Sequence, residues 1–221
     1  AGTQALIVQA HHAAVNDVLG LLEREVAMTR IGVNGVAQVE IRGVVATGYD
    51  HYDSRASDPH LHTHVVVANL VQGLHDGKWS TLDSRALHGA VVGLSETYHA
   101  VLSDRLARVL GLGWESRERG RDRNPAWEAV GVPEALVQSF SSRARSIDAE
   151  VQRLIDAWTA EHGRAPSRVQ VIRLRQQATL STRPEKTVHS MAELTERWRS
   201  QAARVLGRDA PAWAAEVVAS G

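Results

Sequence analysis

The chain has 221 residues, no cysteine, and 25 basic against 25 acidic side chains. That length buries one sizeable core, the lack of thiols excludes both a disulfide framework and a thiolate metal site, and the neutral balance is not the strongly basic signature of a nucleic-acid binder. The charge is uneven all the same: residues 1–110 hold 8 Lys and Arg against 11 Asp and Glu, the remainder 17 against 14, and nine of the 11 histidines lie in the first half. No apolar run approaches the roughly 20 residues that cross a bilayer, so no membrane segment is expected. A start at Ala1-Gly2-Thr3, without initiator Met or leader-like segment, points to a piece of a longer protein, and the absence of cysteine suits a reducing cytoplasm.

In chain order, the spacing of Leu6, Ala10, Ala14, Leu21 and Val26 predicts one helix from about Gln4 to Arg30, with Gly32 as its breaker. After Asn34-Gly35, the β-branched stretch Val36 to Tyr49 reads as a strand and His62 to Val71 as a second, joined antiparallel through a polar loop containing Asp58-Pro59. Lys78-Trp79-Ser80 reads as a short return strand, with Trp79 as its buried anchor. A helix then opens near Asp83 and runs to Leu110, with Leu87, Val91, Leu94, Tyr98, Leu102, Leu106 and Val109 on one stripe. A hairpin follows from Trp114 to Val130, in which the arginines at 117, 119, 121 and 123 interleave with acids as a solvated charge run. Helices are expected over 133–162, stopped by Gly163, over 167–181, and over 190–206, where Ser190 and Glu193 have capping-box spacing. The fold class is thus α+β: an antiparallel sheet flanked by helices over 1–130, and a mostly helical subregion over 131–221.

Chemistry concentrates in one segment, HYDSRASDPHLHTH, residues 51–64. Alternate strand residues share a face, so His62 and His64 project together while Thr63 points away. Antiparallel pairing returns His51 beside them. Three neutral nitrogen donors suit Zn, Mn, Ni, Co or Cu and leave coordination positions open for water or substrate. Asp50, Asp53 and Asp58 lie close enough in sequence to orient a ligand imidazole from behind, and His60 shares the strand parity of His62 as a fourth candidate or wall residue. A lone His-x-His pair is also an ordinary surface feature; the third histidine and the neighbouring carboxylates strengthen the metal reading.

The string HYDSRASDPHLHTHVVVAN, followed by DGKWSTLDSRAL, resembles the metal-site signature of the TrwC/TraI-type (MobF) conjugative relaxases, a group of histidine-hydrophobic-histidine endonucleases. The family pattern of His, Ser-Arg, Pro-x-Leu-His-Thr-His and a following Asn is matched by His51, Ser54-Arg55, Pro59, Leu61 to His64, and Asn69. The resemblance extends to the flanking helix with His11 and His12 and to Phe140 to Arg143, and becomes loose beyond about residue 185. It implies a divalent ion, such as Mg, Mn, Zn or Ni, held by His51, His62 and His64 against a scissile phosphate. It implies attack by a tyrosine to give a 5′-phosphotyrosine and a free 3′-hydroxyl at a plasmid transfer origin. Single-stranded DNA and other transfer-complex proteins are the implied partners, with C-terminal helices covering the DNA cleft.

The family's nucleophilic tyrosines precede the segment that corresponds to Ala1, so no catalytic tyrosine is expected here and the chain alone is expected to bind metal and DNA without nicking. No Gly-x-x-x-x-Gly-Lys-Ser/Thr helicase motif occurs. Tyr98 follows the histidine pair in the order replication initiators use, but it lies on the apolar stripe and reads as core; Tyr49 and Tyr52 read as strand or wall residues. Arg55, Lys78 and Arg85 are the candidate phosphate contacts, against the plainer reading of solvated charges. Two other classes stand beside the nickase: a metal-dependent hydrolase that activates water at the three-His site, and a non-catalytic DNA-binding remnant.

Overall fold

The structure is a computed structural model in which residues 2–118, 125–185 and 187–219 are described. Arg119, Arg121 and Arg123 of the charged hairpin lie outside the described residues. The chain divides into two compact units, one formed by Ala1–His51, Leu61–Val130 and Val217–Gly221, the other by Tyr52–His60 and Gly131–Glu216.

In the first unit, α1 (Thr3–Leu21) packs against α2 (Ser84–Leu110). Ala10, Leu106 and Leu110 are buried between them, with Leu6, Ile7, Leu102 and Trp114 around the edge. The small Ala10 and Ala14 let the helices approach closely. The helix predicted to reach Arg30 ends at Leu21 and leaves through a π-helical turn, Leu22–Val26, that closes with Ala27 N–H donating to the Leu22 carbonyl. Met28–Ile31 is instead strand β1, paired antiparallel with β2 (Ala37–Glu40). Thr29 is fully buried there and donates its hydroxyl to the Thr81 carbonyl at 2.7 Å, a tertiary bond that helical periodicity does not report.

The continuous strand expected from Val36 to Tyr49 is also two. After β2, Ile41 makes a single bridge to Gly73, and the chain turns at Gly43 (φ 155°) before β3 (Ala46–Asp53) begins. β3 pairs with β4 (Pro59–Val67), as expected from the sequence. The second predicted strand likewise breaks, because β5 (Val71–Gln72) pairs separately with β6 (Trp79–Ser80). Val71, Ala27 and Leu82 form a small core under these pairs, supplemented by Leu22, Ile41, Val44 and Leu87. Trp79 is 62% exposed, so it does not anchor β6 as expected. α2 begins where Asp83 accepts from the Arg85 N–H, and ends at Gly111 in the left-handed conformation (φ 69°), as the sequence predicts. Its apolar stripe is only partly used: Val91 and Val109 face solvent. β7 (Trp114–Arg117) and β8 (Ala126–Ala129) make the expected hairpin.

The helical segment Thr3–Val26 is long and apolar enough to cross a membrane by length and composition. In this structure His11, His12 and Asp17 on it bond to Tyr98, Thr63, Asp50 and Arg105 of the same unit.

In the second unit the helix expected over 133–162 is interrupted, giving α3 (Glu134–Ser139) and α4 (Ser142–His162). α5 (Arg168–Ser181) is capped by Ser167, and α6 (Met191–Leu206) carries the predicted capping box of Ser190 and Glu193. α7 (Ala210–Ala219), which belongs to this unit as far as Glu216, has no counterpart among the expected helices. Leu136, Ala202 and Ala210 form the core of this unit with Phe140, Leu206 and Trp213. Arg143 donates to the carbonyls of Thr179 and Thr182, closing the exposed end of α5 on α4. The loop before β4 belongs with these helices: Trp198 Nε1 donates to the Ser57 carbonyl at 2.8 Å, and Ser57 sits at φ 61°. The α+β class holds, with the sheet divided into four two-stranded pairs among the described residues.

Candidate metal centre

His51 on β3 and His62 and His64 on β4 converge within the first unit. Their ring centroids are 5.2, 4.7 and 5.0 Å apart, a nearly equilateral triangle, and the rings are tilted 69–78° to one another. One nitrogen from each lies within 4.8 Å of the others. Alternation along β4 puts His62 and His64 on one face and Thr63 on the other, and cross-strand pairing supplies His51. His51 and His62 are half-buried while His64 is exposed, so the triangle opens to solvent on one side. The donor set fits a divalent cation of the nitrogen-loving kind, with room beyond three ligands for an oxygen of water or substrate.

A second cluster occupies the opposite face of the same hairpin. Thr63 Oγ1 donates to Asp50 Oδ1 at 2.6 Å, and His12 Nε2 meets Asp50 Oδ2 at 2.6 Å. Buried His11, from α1, joins Thr63 Oγ1 at 2.7 Å through Nε2 and the Tyr98 hydroxyl at 2.7 Å through Nδ1. The Thr63 hydrogen bond, followed by that from His12, holds the Asp50 carboxyl below its ordinary value. Burial, then the nearby His12, pushes His11 below the usual imidazole range, and burial pushes the Tyr98 phenol up. No local sequence pattern gives His11 and His12 a role, because their partners are 38 to 87 residues away. The apolar stripe places Tyr98 in the core, where its ring does lie half-buried, but does not report the use of its hydroxyl.

The other predicted residues are scattered. His60 is exposed on β4 and is not one of the three converging imidazoles; it belongs, with Asp53 and Asp58, to the second unit. Asp58 is buried and turned to the Arg143 N–H at the start of α4, 3.4 Å away. Asp50 is the predicted carboxylate that lies in the unit of the histidines, bonded to the back of the hairpin. Arg55, Lys78 and Arg85 are all exposed. Asn69 accepts from the Leu82 N–H at 3.1 Å.

The family model for TrwC relaxase matches residues 1–205. The chain belongs to the TrwC relaxase family. Within that family it is similar to a multifunctional conjugation protein TraI of Escherichia coli, 36% identical over 158 residues, and to TraI of Escherichia coli strain K12, 34% identical over 155. Each match covers 66% of this chain and 8% of the relative, so the chain spans about a twelfth of those curated proteins. Among solved structures it resembles the conjugative relaxase TrwC in complex with oriT DNA in a copper-bound form, with TM-score 0.71 and 27% identity over 93% of this chain and 64% of that one. A metal-bound TrwC complex with oriT DNA superposes with TM-score 0.70 at 28% identity, covering 93% and 65%. TrwC bound to a 27-mer comprising the recognition hairpin and cleavage site gives 0.69 at 28%, covering 93% and 67%.

Proposed function

We propose that this chain carries the metal centre of a conjugative relaxase that nicks and rejoins single-stranded DNA at a transfer origin, with His51, His62 and His64 as the ligands. The observation that carries this reading is the convergence of three imidazole nitrogens within 4.8 Å, open on one side, in a member of the TrwC relaxase family. TrwC structures described as metal-bound and in complex with oriT DNA support it. A divalent ion bound there would polarise a phosphodiester oxygen as a Lewis acid. The chain's own part is to hold three rings in a fixed triangle, keep the open side accessible, and bring cationic side chains to the DNA backbone. Exposed Arg55, Lys78 and Arg85 are the proposed phosphate contacts, of which the arginines offer paired N–H donors.

The proposed reaction is tyrosine transesterification, and none of Tyr49, Tyr52 and Tyr98 is proposed as its nucleophile. Tyr98 already engages His11 with a hydroxyl whose ionisation burial disfavours. Accordingly, these 221 residues bind metal and DNA without forming a covalent adduct by themselves.

The test is metal content after dialysis against Mn or Zn, for the chain and for a His62→Ala, His64→Ala variant, with anisotropy of a single-stranded origin oligonucleotide at several salt concentrations. The expected result is loss of metal in the variant, and DNA affinity that falls steeply with salt. Equal metal content in both would remove the reading. Turnover of small phosphate esters without DNA binding would favour a hydrolase instead, and a phosphotyrosyl product would overturn the assignment of the nucleophile.

A further inference from the structure

For a neutral His11, the state its burial favours, the bonds on the back of the β3–β4 hairpin have a single consistent proton arrangement. A carboxylate only accepts, and a threonine hydroxyl has one proton to give. With Thr63 O–H committed to Asp50 Oδ1, the 2.7 Å contact between His11 Nε2 and Thr63 Oγ1 requires the imidazole to be the donor. A neutral His11 protonated on Nε2 then has a lone pair on Nδ1, which accepts from the Tyr98 hydroxyl at 2.7 Å. The chain therefore runs one way, Tyr98 to His11 to Thr63 to Asp50, and His12 completes it at the second carboxylate oxygen. Hydrogen bonds in such a series polarise one another, and buried His11 would be costly to leave unpaired.

Its position gives the series a purpose. Thr63 lies between His62 and His64, and Asp50 immediately precedes His51. The Thr63–Asp50 bond thus ties β3 to β4 directly behind the imidazole triangle. The rear face is closely packed at this level: a Cβ placed on Gly48 would lie 3.2 Å from Thr63 Cγ2. α1 supplies His11 and His12 and α2 supplies Tyr98, so the two longest helices of the first unit back the hairpin through two imidazoles and a phenol.

We infer that Thr63, Asp50 and His11 are positioning residues for the three-histidine centre, fixing from the rear face of the hairpin the strand alignment that brings His51, His62 and His64 to one point. The inference rests on the metal reading above. It assigns these residues no contact with metal or DNA; they act through the strands that carry the ligands.

Cobalt(II), whose visible absorption reports ligand geometry, tests the inference on the 221-residue chain. Thr63→Val keeps the side-chain shape and removes the hydroxyl; it is expected to weaken cobalt binding by about tenfold or more, the usual range for outer supports of a metal site, and to change the absorption bands. Thr63→Ser restores the hydroxyl and is expected to recover both. In parallel, imidazole 15N shifts of the metal-free wild type should show His11 in the Nε2–H form at neutral pH. If Thr63→Val does not fold, His11→Gln carries the test, with weaker cobalt binding and altered absorption bands expected.

Wild-type cobalt affinity and spectrum in Thr63→Val, or an Nδ1–H or doubly protonated His11, would overturn the inference while leaving the metal centre in place. Undiminished cobalt binding by the His62→Ala, His64→Ala control would instead overturn the metal reading, and the inference with it.

Discussion

Asp83 concentrates several bonds in one buried carboxylate. It caps α2 by accepting from the Arg85 N–H at 3.1 Å, and receives Arg30 Nε at 2.8 Å and Gln38 Nε2 at 3.0 Å. Burial opposes ionisation here, yet these donors, Arg30 foremost, hold the carboxyl below its ordinary value. Asp83→Ala removes a cap and strands two side chains that join α2 to the β1–β2 hairpin, so it is expected to cost about 2–3 kcal/mol, read from urea unfolding. Asp83→Asn keeps the cap and should cost less. His11 makes a prediction about pH. Its pKa is depressed in the folded state, so the unfolded chain binds more protons as pH falls through the ordinary imidazole value of about 6.5. The stability contribution is therefore full above that value and declines on acidification towards the folded pKa. His11→Gln should flatten the dependence of the urea midpoint on pH between 7 and 5, and an unchanged slope would count against a neutral buried imidazole.

At the scale of elements, local signals predict ends better than extents. The caps at Asp83, Ser167 and Ser190 and the left-handed stops at Gly111, Gly163 and Gly207 combine a short polar residue or a glycine with a helical run, a pattern written in neighbouring residues. Ser190→Ala removes the hydroxyl arm of the capping box, leaving the backbone N–H of residue 190 on the Glu193 carboxylate, and should lower the stability of the helical unit by about 1 kcal/mol, seen as a lower melting temperature by circular dichroism. Where a segment's partner is distant, periodicity misleads. Met28–Ile31 continues an apolar pattern that suits α1, but its backbone pairs with Ala37–Glu40 and its Thr29 with Leu82. The stretch from Ala37 to Asp53 is rich in β-branched residues but splits at Gly43, its two parts having different partners, β1 and β4. Tertiary pairing overrides propensity in both cases.

For the molecule as a whole, the proposed metal centre couples ligand binding to folding. An ion that binds only the native triangle stabilises it by mass action, about 2.7 kcal/mol at a hundredfold excess over its dissociation constant. Adding manganese or zinc should therefore raise the melting temperature of the wild type, a chelator should reverse the shift, and the His62→Ala, His64→Ala variant should show neither effect. The nearly neutral total charge leaves DNA affinity to local clusters. Replacing Arg55, Lys78 and Arg85 together with alanine should weaken single-stranded binding and make its salt slope shallower by about 0.7 for each phosphate no longer neutralised.

By itself the sequence determined the family, from a signature within residues 51–87, and the three histidines and the strand alternation that puts two of them on one face, which lie fewer than fifteen positions apart. Only the tertiary structure decided what stands behind them. Whether His11 is idle or bonded, and whether Tyr98 is inert packing or the head of a hydrogen-bond series, depends on α1 and α2 meeting β4 across 52 to 87 residues of chain. Hydrogen bonds are directional and short, so they identify partners only once the fold has brought the atoms within about 3 Å.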